Sequence, residues 1–99
     1  MPDSLDRLQQ WYQSHCNGQW EHSNGVSIET LDNPGWSLRI DLSGTEYSGR
    51  KLDRIDNGIS SAKRTWTARW IENDQFCAAG GPSTLPSLIE SFFEWADSQ

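Results

Sequence analysis

Val26-Ser27-Ile28-Glu29-Thr30-Leu31-Asp32-Asn33-Pro34-Gly35-Trp36-Ser37-Leu38-Arg39-Ile40-Asp41-Leu42 is the stretch whose reading decides the fold. In its second half Trp36, Leu38, Ile40 and Leu42 alternate with Ser37, Arg39 and Asp41. A period of two puts one set on each side of an extended strand. Val26, Ile28 and Thr30 alternate with Ser27 and Glu29 in the same way. Between the halves, Asp32-Asn33-Pro34-Gly35 is turn chemistry: Pro presets φ, Gly admits a positive φ, and Asp or Asn bonds nearby backbone. The run predicts a hairpin with one apolar face, which calls for an antiparallel sheet covered on one side.

Upstream, Asp3 or Ser4 can cap a helix that carries Leu5, Leu8, Trp11, Tyr12 and His15 at helical spacing. Asn17-Gly18 ends it, since both residues tolerate the left-handed conformation. Cys16 to His22 then reads as a helix exit and a connection. Downstream, Ser43-Gly44-Thr45 turns the chain, and residues 47–56 suggest a third strand broken by a bulge, because Leu52 and Ile55 fall out of phase. Asn57-Gly58 is a further turn signal, and residues 59–63 read as an exposed connection. Trp66, Ala68 and Trp70 alternate with Thr65, Thr67, Arg69 and Ile71 as a strand whose tryptophans belong in the core, as Trp36 does. Asn73-Asp74 is a short turn before a brief strand over 75–79. After Gly80-Gly81-Pro82, Ser83 or Thr84 can cap a last helix with Pro86 in its first turn and Leu85, Leu88, Ile89, Phe92 and Ala96 on one face. The expectation is a single α+β domain: a meandering antiparallel sheet of four to five strands, with an N-terminal and a C-terminal helix on one face.

Ninety-nine residues allow one core. Apolar residues make up 34%, but six tryptophans supply large buried surface, so the chain reads as folded. A formal charge of −6, from 14 acids against 8 bases, repels phosphates and anionic lipid, which disfavours nucleic-acid and membrane partners and favours a basic one. Cys16 and Cys77 permit at most one disulfide. No secretory leader and no apolar run of about 20 residues is evident, so a reduced cytoplasmic protein with two free thiols is expected.

Three constellations bear on chemistry. Cys16, His22 and an acid such as Glu21 or Asp32 suggest a cysteine nucleophile with its base, but a helix C-terminus raises a thiol pKa rather than lowering it. His15, Cys16, His22 and Cys77 lack the paired short spacing of zinc ligands, so no metal and no cofactor is expected. Gly80-Gly81-Pro82-Ser83-Thr84 before a helix lacks a phosphate-loop lysine and reads as a plain turn. Trp20, flanked by Gln19 and Glu21, is a candidate exposed anchor for a partner and equally a plug at one end of the core.

The residues Trp11-Tyr12, Cys16-Asn17-Gly18, Trp20-Glu21-His22, Gly25-Val26, Thr30-Leu31-Asp32-Asn33-Pro34-Gly35-Trp36, Ile40-Asp41-Leu42, Gly44-Thr45 and Gly80-Gly81-Pro82 together resemble the immunity protein 53 family. The resemblance spans essentially the whole chain and is thinnest over residues 47–63. It implies a non-enzymatic cytoplasmic antidote of a bacterial polymorphic-toxin system, which binds its toxin stoichiometrically and occludes it. No catalytic residue is carried over. The acidic charge agrees with a basic toxin such as a nuclease. Trp20, Glu21 and His22 in the connection, with Asp32 and Asn33 in the hairpin turn, are the expected toxin-binding residues. A general acidic interaction module, or a small enzyme using Cys16 and His22, are the alternatives.

Overall fold

The computed structural model describes residues 3–57 and 66–99. The expected connection over 59–63, with Gly58 and Thr65, lies outside the described residues.

Helix α1 (Ser4–His15) starts where Asp3 accepts the Asp6 amide at 2.9 Å, with Asp6 in the first turn, where the helix dipole favours a carboxylate. A one-turn helix α2 (Trp20–Ser23) follows, in a segment expected to be a plain connection. Strands β1 (Val26–Leu31) and β2 (Gly35–Asp41) form the expected hairpin, with Ile28 opposite Leu38 and Leu31 opposite Gly35. Strands β3 (Ile55–Asn57), β4 (Thr67–Glu72) and β5 (Gln75–Gly80) form a second antiparallel unit, and α3 (Leu85–Asp97) ends the chain. The five strands lie in the order β1-β2-β5-β4-β3, all neighbours antiparallel. The meander therefore comes in two pieces, joined side by side by β2 and β5. The chain leaves β2, next to one edge, and reaches β3 at the opposite edge through residues 42–54.

The helices cover one face of this α+β domain. Leu38, Ile40 and Leu42, with Phe76 and Ala78, meet Leu8 of α1 and Leu88, Ile89 and Phe92 of α3 in one buried cluster. Phe92 is its hub: its ring lies 5.2 Å from Trp11, 5.2 Å from Phe76 and 5.1 Å from Phe93, each near edge-on, as aromatic quadrupoles prefer. Trp36 shares this face, half-buried, and its indole donates to the Pro82 carbonyl at 3.0 Å. Thr84 sits at the start of α3, but its hydroxyl donates to the Gly81 carbonyl at 2.8 Å and caps no helical amide.

Two expectations change. Residues 47–56 do not form one strand: successive turns run from Leu42 to Arg50, the Leu52 carbonyl accepts the Ile71 amide at 3.0 Å, and the ladder with β4 begins at Ile55. Leu52 falls out of phase with Ile55 because it packs against the core from a loop, as Tyr47 does, lying 5.6 Å from Trp95, whereas Ile55 begins β3. That burial pushes the Tyr47 hydroxyl above its ordinary pKa. In β4 the faces are the reverse of those expected. Ile71 pairs with Phe76 on the helix side, so Ala68 and Trp70 point to the other face, opposite Ala79 and Cys77. There the Trp70 indole donates to Glu72 at 3.0 Å and Arg54 lies 4.9 Å over its ring. A tryptophan with polar partners at both its edge and its face fits an exposed sheet surface as well as a core.

Candidate functional site

The residues singled out from the sequence fall at the two ends of the β1–β2 hairpin. At the first end, α1 runs out at Cys16, and the next residues build a corner. The Asn17 side chain accepts the amides of Gln19 and Trp20, each at 2.9 Å. Glu21 reaches back to the amides of Asn17 and Gly18 at 2.9 and 2.8 Å. This reciprocal pairing does what a capping box does for an ordinary helix, with Gly18 supplying the positive φ of 91° that the turn needs. Glu21's own backbone amide foremost, then those of Asn17 and Gly18, hold the Glu21 carboxyl below its ordinary pKa, with a smaller contribution from neighbouring His22.

Trp20 is 6% exposed. Its ring meets Trp11, Tyr12 and His15, and its indole donates to the Ser43 carbonyl at 2.7 Å. The exposed-anchor expectation for Trp20 is therefore corrected: α2 swings the ring inward over α1, and the residue plugs the end of the core. Gly44, with φ of 77°, lets the 42–50 loop lie against this ring, since a Cβ there would stand 3.0 Å from Trp20 Cδ1.

The same end is tied to the rest of the sheet by charged groups. His15 bonds the Trp11 carbonyl through Nδ1 at 2.9 Å and meets Glu46 through Nε2 at 3.0 Å, which lowers the Glu46 pKa. Asp41 accepts the Gly25 amide at 2.8 Å and the Gln75 side chain at 2.6 Å. Asp74, at a left-handed φ of 58° in the β4–β5 turn, accepts the Gly49 amide and the Ser48 and Ser43 hydroxyls at 2.8, 2.7 and 3.0 Å. Those donors, the Gly49 amide foremost, hold its carboxyl below the ordinary range. None of this network was apparent from the sequence. Asn17 followed four residues later by Glu21 is the one local signal that could have announced part of it.

His22 is exposed on the outer side of α2. No hydrogen bond joins it to Cys16, whose thiol donates to the Tyr12 carbonyl at 3.3 Å. The Cys16–His22 pair that an enzyme would need is thus not assembled as a hydrogen-bonded dyad. Cys77 is a second free thiol, buried on the other sheet face, where burial above all, with Glu72 adding, raises its pKa. Among the described residues no group of three or more His, Cys, Asp or Glu is arranged to hold a metal. No helix of the described residues is long and apolar enough to cross a membrane.

The second end of the hairpin is different. Asp32 and Asn33 are exposed in the turn, before a cis Asn33–Pro34 peptide bond, and their side chains make no hydrogen bond to the described residues. The six residues of β1 separate them from the α2 corner, a span of about 20 Å at ~3.3 Å per residue. The two groups of expected contact residues therefore do not form one cluster. They bracket β1.

The described residues thus form a small α+β domain with internally bonded loops at one end of the β1–β2 hairpin and an exposed turn at the other. The sequence pattern that defines the immunity protein 53 family matches residues 5–97, and the chain belongs to that family. No curated protein and no solved structure matches it.

Proposed function

We propose that this chain binds a toxin domain encoded beside its own gene and neutralises it in the cytoplasm by stoichiometric occlusion, and that the toxin is a basic effector of the nuclease type. The observation that carries the reading is the match to the immunity family over residues 5–97. The charge of −6 supports a basic partner, because opposite fields raise the encounter rate and penalise wrong partners. In this reading His22, Asp32 and Asn33 touch the toxin, while Trp20 and Glu21 act from behind by fixing the corner that presents His22. Growth of bacteria expressing the neighbouring toxin domain, with and without this chain, tests it. The expected result is growth arrest relieved only by co-expression, with a one-to-one complex on purification. A neighbour that is harmless alone, or relief without a complex, overturns the reading.

A further inference from the structure

We infer that the free edge of β1 is the toxin-docking strand, completed in the complex by an extended segment of the toxin that carries a basic residue beside Glu29. The inference rests on the immunity reading and adds the place and the mode of contact.

The hydrogen-bond alternation of the sheet fixes which groups are free. The Asp41 amide donates to the Gly25 carbonyl, so in the β1–β2 register Ser27, Glu29 and Leu31 bond inward to β2. The Leu42 amide donates to the Asp74 carbonyl, which makes Trp36, Leu38 and Ile40 the residues of β2 that bond to β5. Both registers give the same phase. The N–H and C=O groups of Val26, Ile28 and Thr30 consequently point away from β2, and among the described residues no strand lies beside them.

Edge strands of folded proteins are ordinarily short, kinked by a bulge or guarded by Pro or Lys. The far edge follows that rule: β3 has three residues, next to an Arg54–Asp56 ion pair at 2.8 Å. β1 does not. It pairs over six residues without a bulge and has neither Pro nor Lys. Its residues that present free backbone also carry β-branched side chains, and Ile28 is left 36% exposed on the helix side. This is an edge built to take another strand, with backbone bonds supplying affinity and alternate side chains supplying selection.

Charge decides between occupants. Glu29 is the sole charged residue of β1, and Asp32 stands at its end. A second copy brings another −6 and a like-charged edge, whereas a strand with Lys or Arg opposite Glu29 forms a favourable cross-strand pair. His22 and Asp32-Asn33 then flank the added strand at either end.

Amide-resolved hydrogen exchange on the full chain, alone and with the catalytically inactivated toxin domain encoded beside it, tests the inference. In the free chain the amides of Val26, Ile28 and Thr30 should exchange fast while those of Ser27, Glu29 and Leu31 are protected. In the complex all of them should be protected. Ile28→Pro removes a donor that the β1–β2 ladder does not use, so it should leave the fold in place and weaken the complex roughly tenfold to a hundredfold. Glu29→Lys should weaken it at low salt without any change in the backbone. A complex that forms while Val26, Ile28 and Thr30 still exchange fast overturns the docking strand and leaves the immunity reading standing. No complex with the unaltered chain removes both. Protection of the same amides in the free chain, with a doubled mass in solution, gives the edge to a second copy and overturns the inference.

Discussion

The two ends of the β1–β2 hairpin are made of similar residues and do opposite things. Asn17, Glu21 and Asp41 at one end, Asp32 and Asn33 at the other, are all turn-forming polar residues in a chain rich in acids. At the α2 corner the side-chain oxygens of Asn17, Glu21 and Asp41 are all occupied by backbone or side-chain donors of the same chain. At the tip the polar side chains are bare. The difference follows from what lies nearby. The corner must stop α1, start β1 and carry the 42–50 loop within a few residues, so it contains many backbone groups without a regular ladder, and each needs a partner. The tip joins two strands in register and leaves few such groups. A polar loop is thus free for outside contacts only where the fold has no internal use for its side chains.

The largest way to break this contrast is at Trp20. Trp20→Ala removes a buried ring that holds α1, α2 and the 42–50 loop together, and should cost about 3–5 kcal/mol by denaturant unfolding. Loss of under about 1 kcal/mol would mean that the corner is dispensable and the two ends are alike. Gly44→Ala probes the same contact from the loop side. An Ala forced to a φ of 77°, with its Cβ 3.0 Å from the Trp20 ring, should cost about 1–3 kcal/mol. A Trp20→Phe background, which removes the Ser43 bond, should not add fully to that cost, because the two sites share one contact.

Asp74 extends the contrast to pH. Its carboxyl titrates lower in the folded chain than in the unfolded one, chiefly because of the Gly49 amide and then the Ser48 and Ser43 hydroxyls. A depressed folded-state pKa contributes stability that is complete above the unfolded value, near ~3.9, and is lost as pH falls through the folded value. Melting curves across that acid range should therefore fall less steeply for Asp74→Asn than for the unaltered chain. Asn keeps the left-handed turn at that position, so the comparison isolates the charge. Parallel pH slopes would show that the exposed carboxylate is screened by solvent and contributes nothing.

The hairpin was legible in the sequence because a strand with one buried face writes its own period. Trp36, Leu38, Ile40 and Leu42 alternate without a fault, and the last helix announced itself by Leu88, Ile89, Phe92 and Ala96. Local periodicity cannot report which strands become neighbours. The placing of β5 between β2 and β4 comes from pairing across more than thirty residues of chain, as in Leu38 opposite Ala78. β4 misled for a related reason: its helix side carries Thr67 and Arg69 beside Ile71, while Ala68 and Trp70 lie on the other side, so the more apolar alternation marks the face away from the helices. In the candidate site, Asp32 and Asn33 were legible as exposed turn residues. Trp20 was legible as an exposed anchor or a plug but not as one rather than the other, because nothing in Gln19-Trp20-Glu21 encodes the one-turn helix that turns the ring inward. The free edge of β1 is a property of strand order and has no sequence signature at all.

The smallest effect on stability separates the ends most cleanly. Charge reversal by Lys is the natural test of an acidic contact, but it has a different meaning at Glu21 and at Asp32. Glu21→Lys takes away the acceptor of two backbone amides and sets a cation against them, so reduced toxin binding there would report a disturbed corner as readily as a lost contact. Asp32→Lys alters a side chain with no partner among the described residues, and should change stability by no more than about 0.5 kcal/mol. Against a basic toxin it should slow association several-fold in about 10 mM salt and by little in about 0.5 M salt, because exposed charges act over a screening length that shrinks with ionic strength. Stopped-flow association rates at both salts distinguish the cases. An unchanged rate at low salt would take the tip out of the electrostatic path and leave the β1 edge as the contact, whereas an equal loss at both salts would make Asp32 a direct bond within the interface.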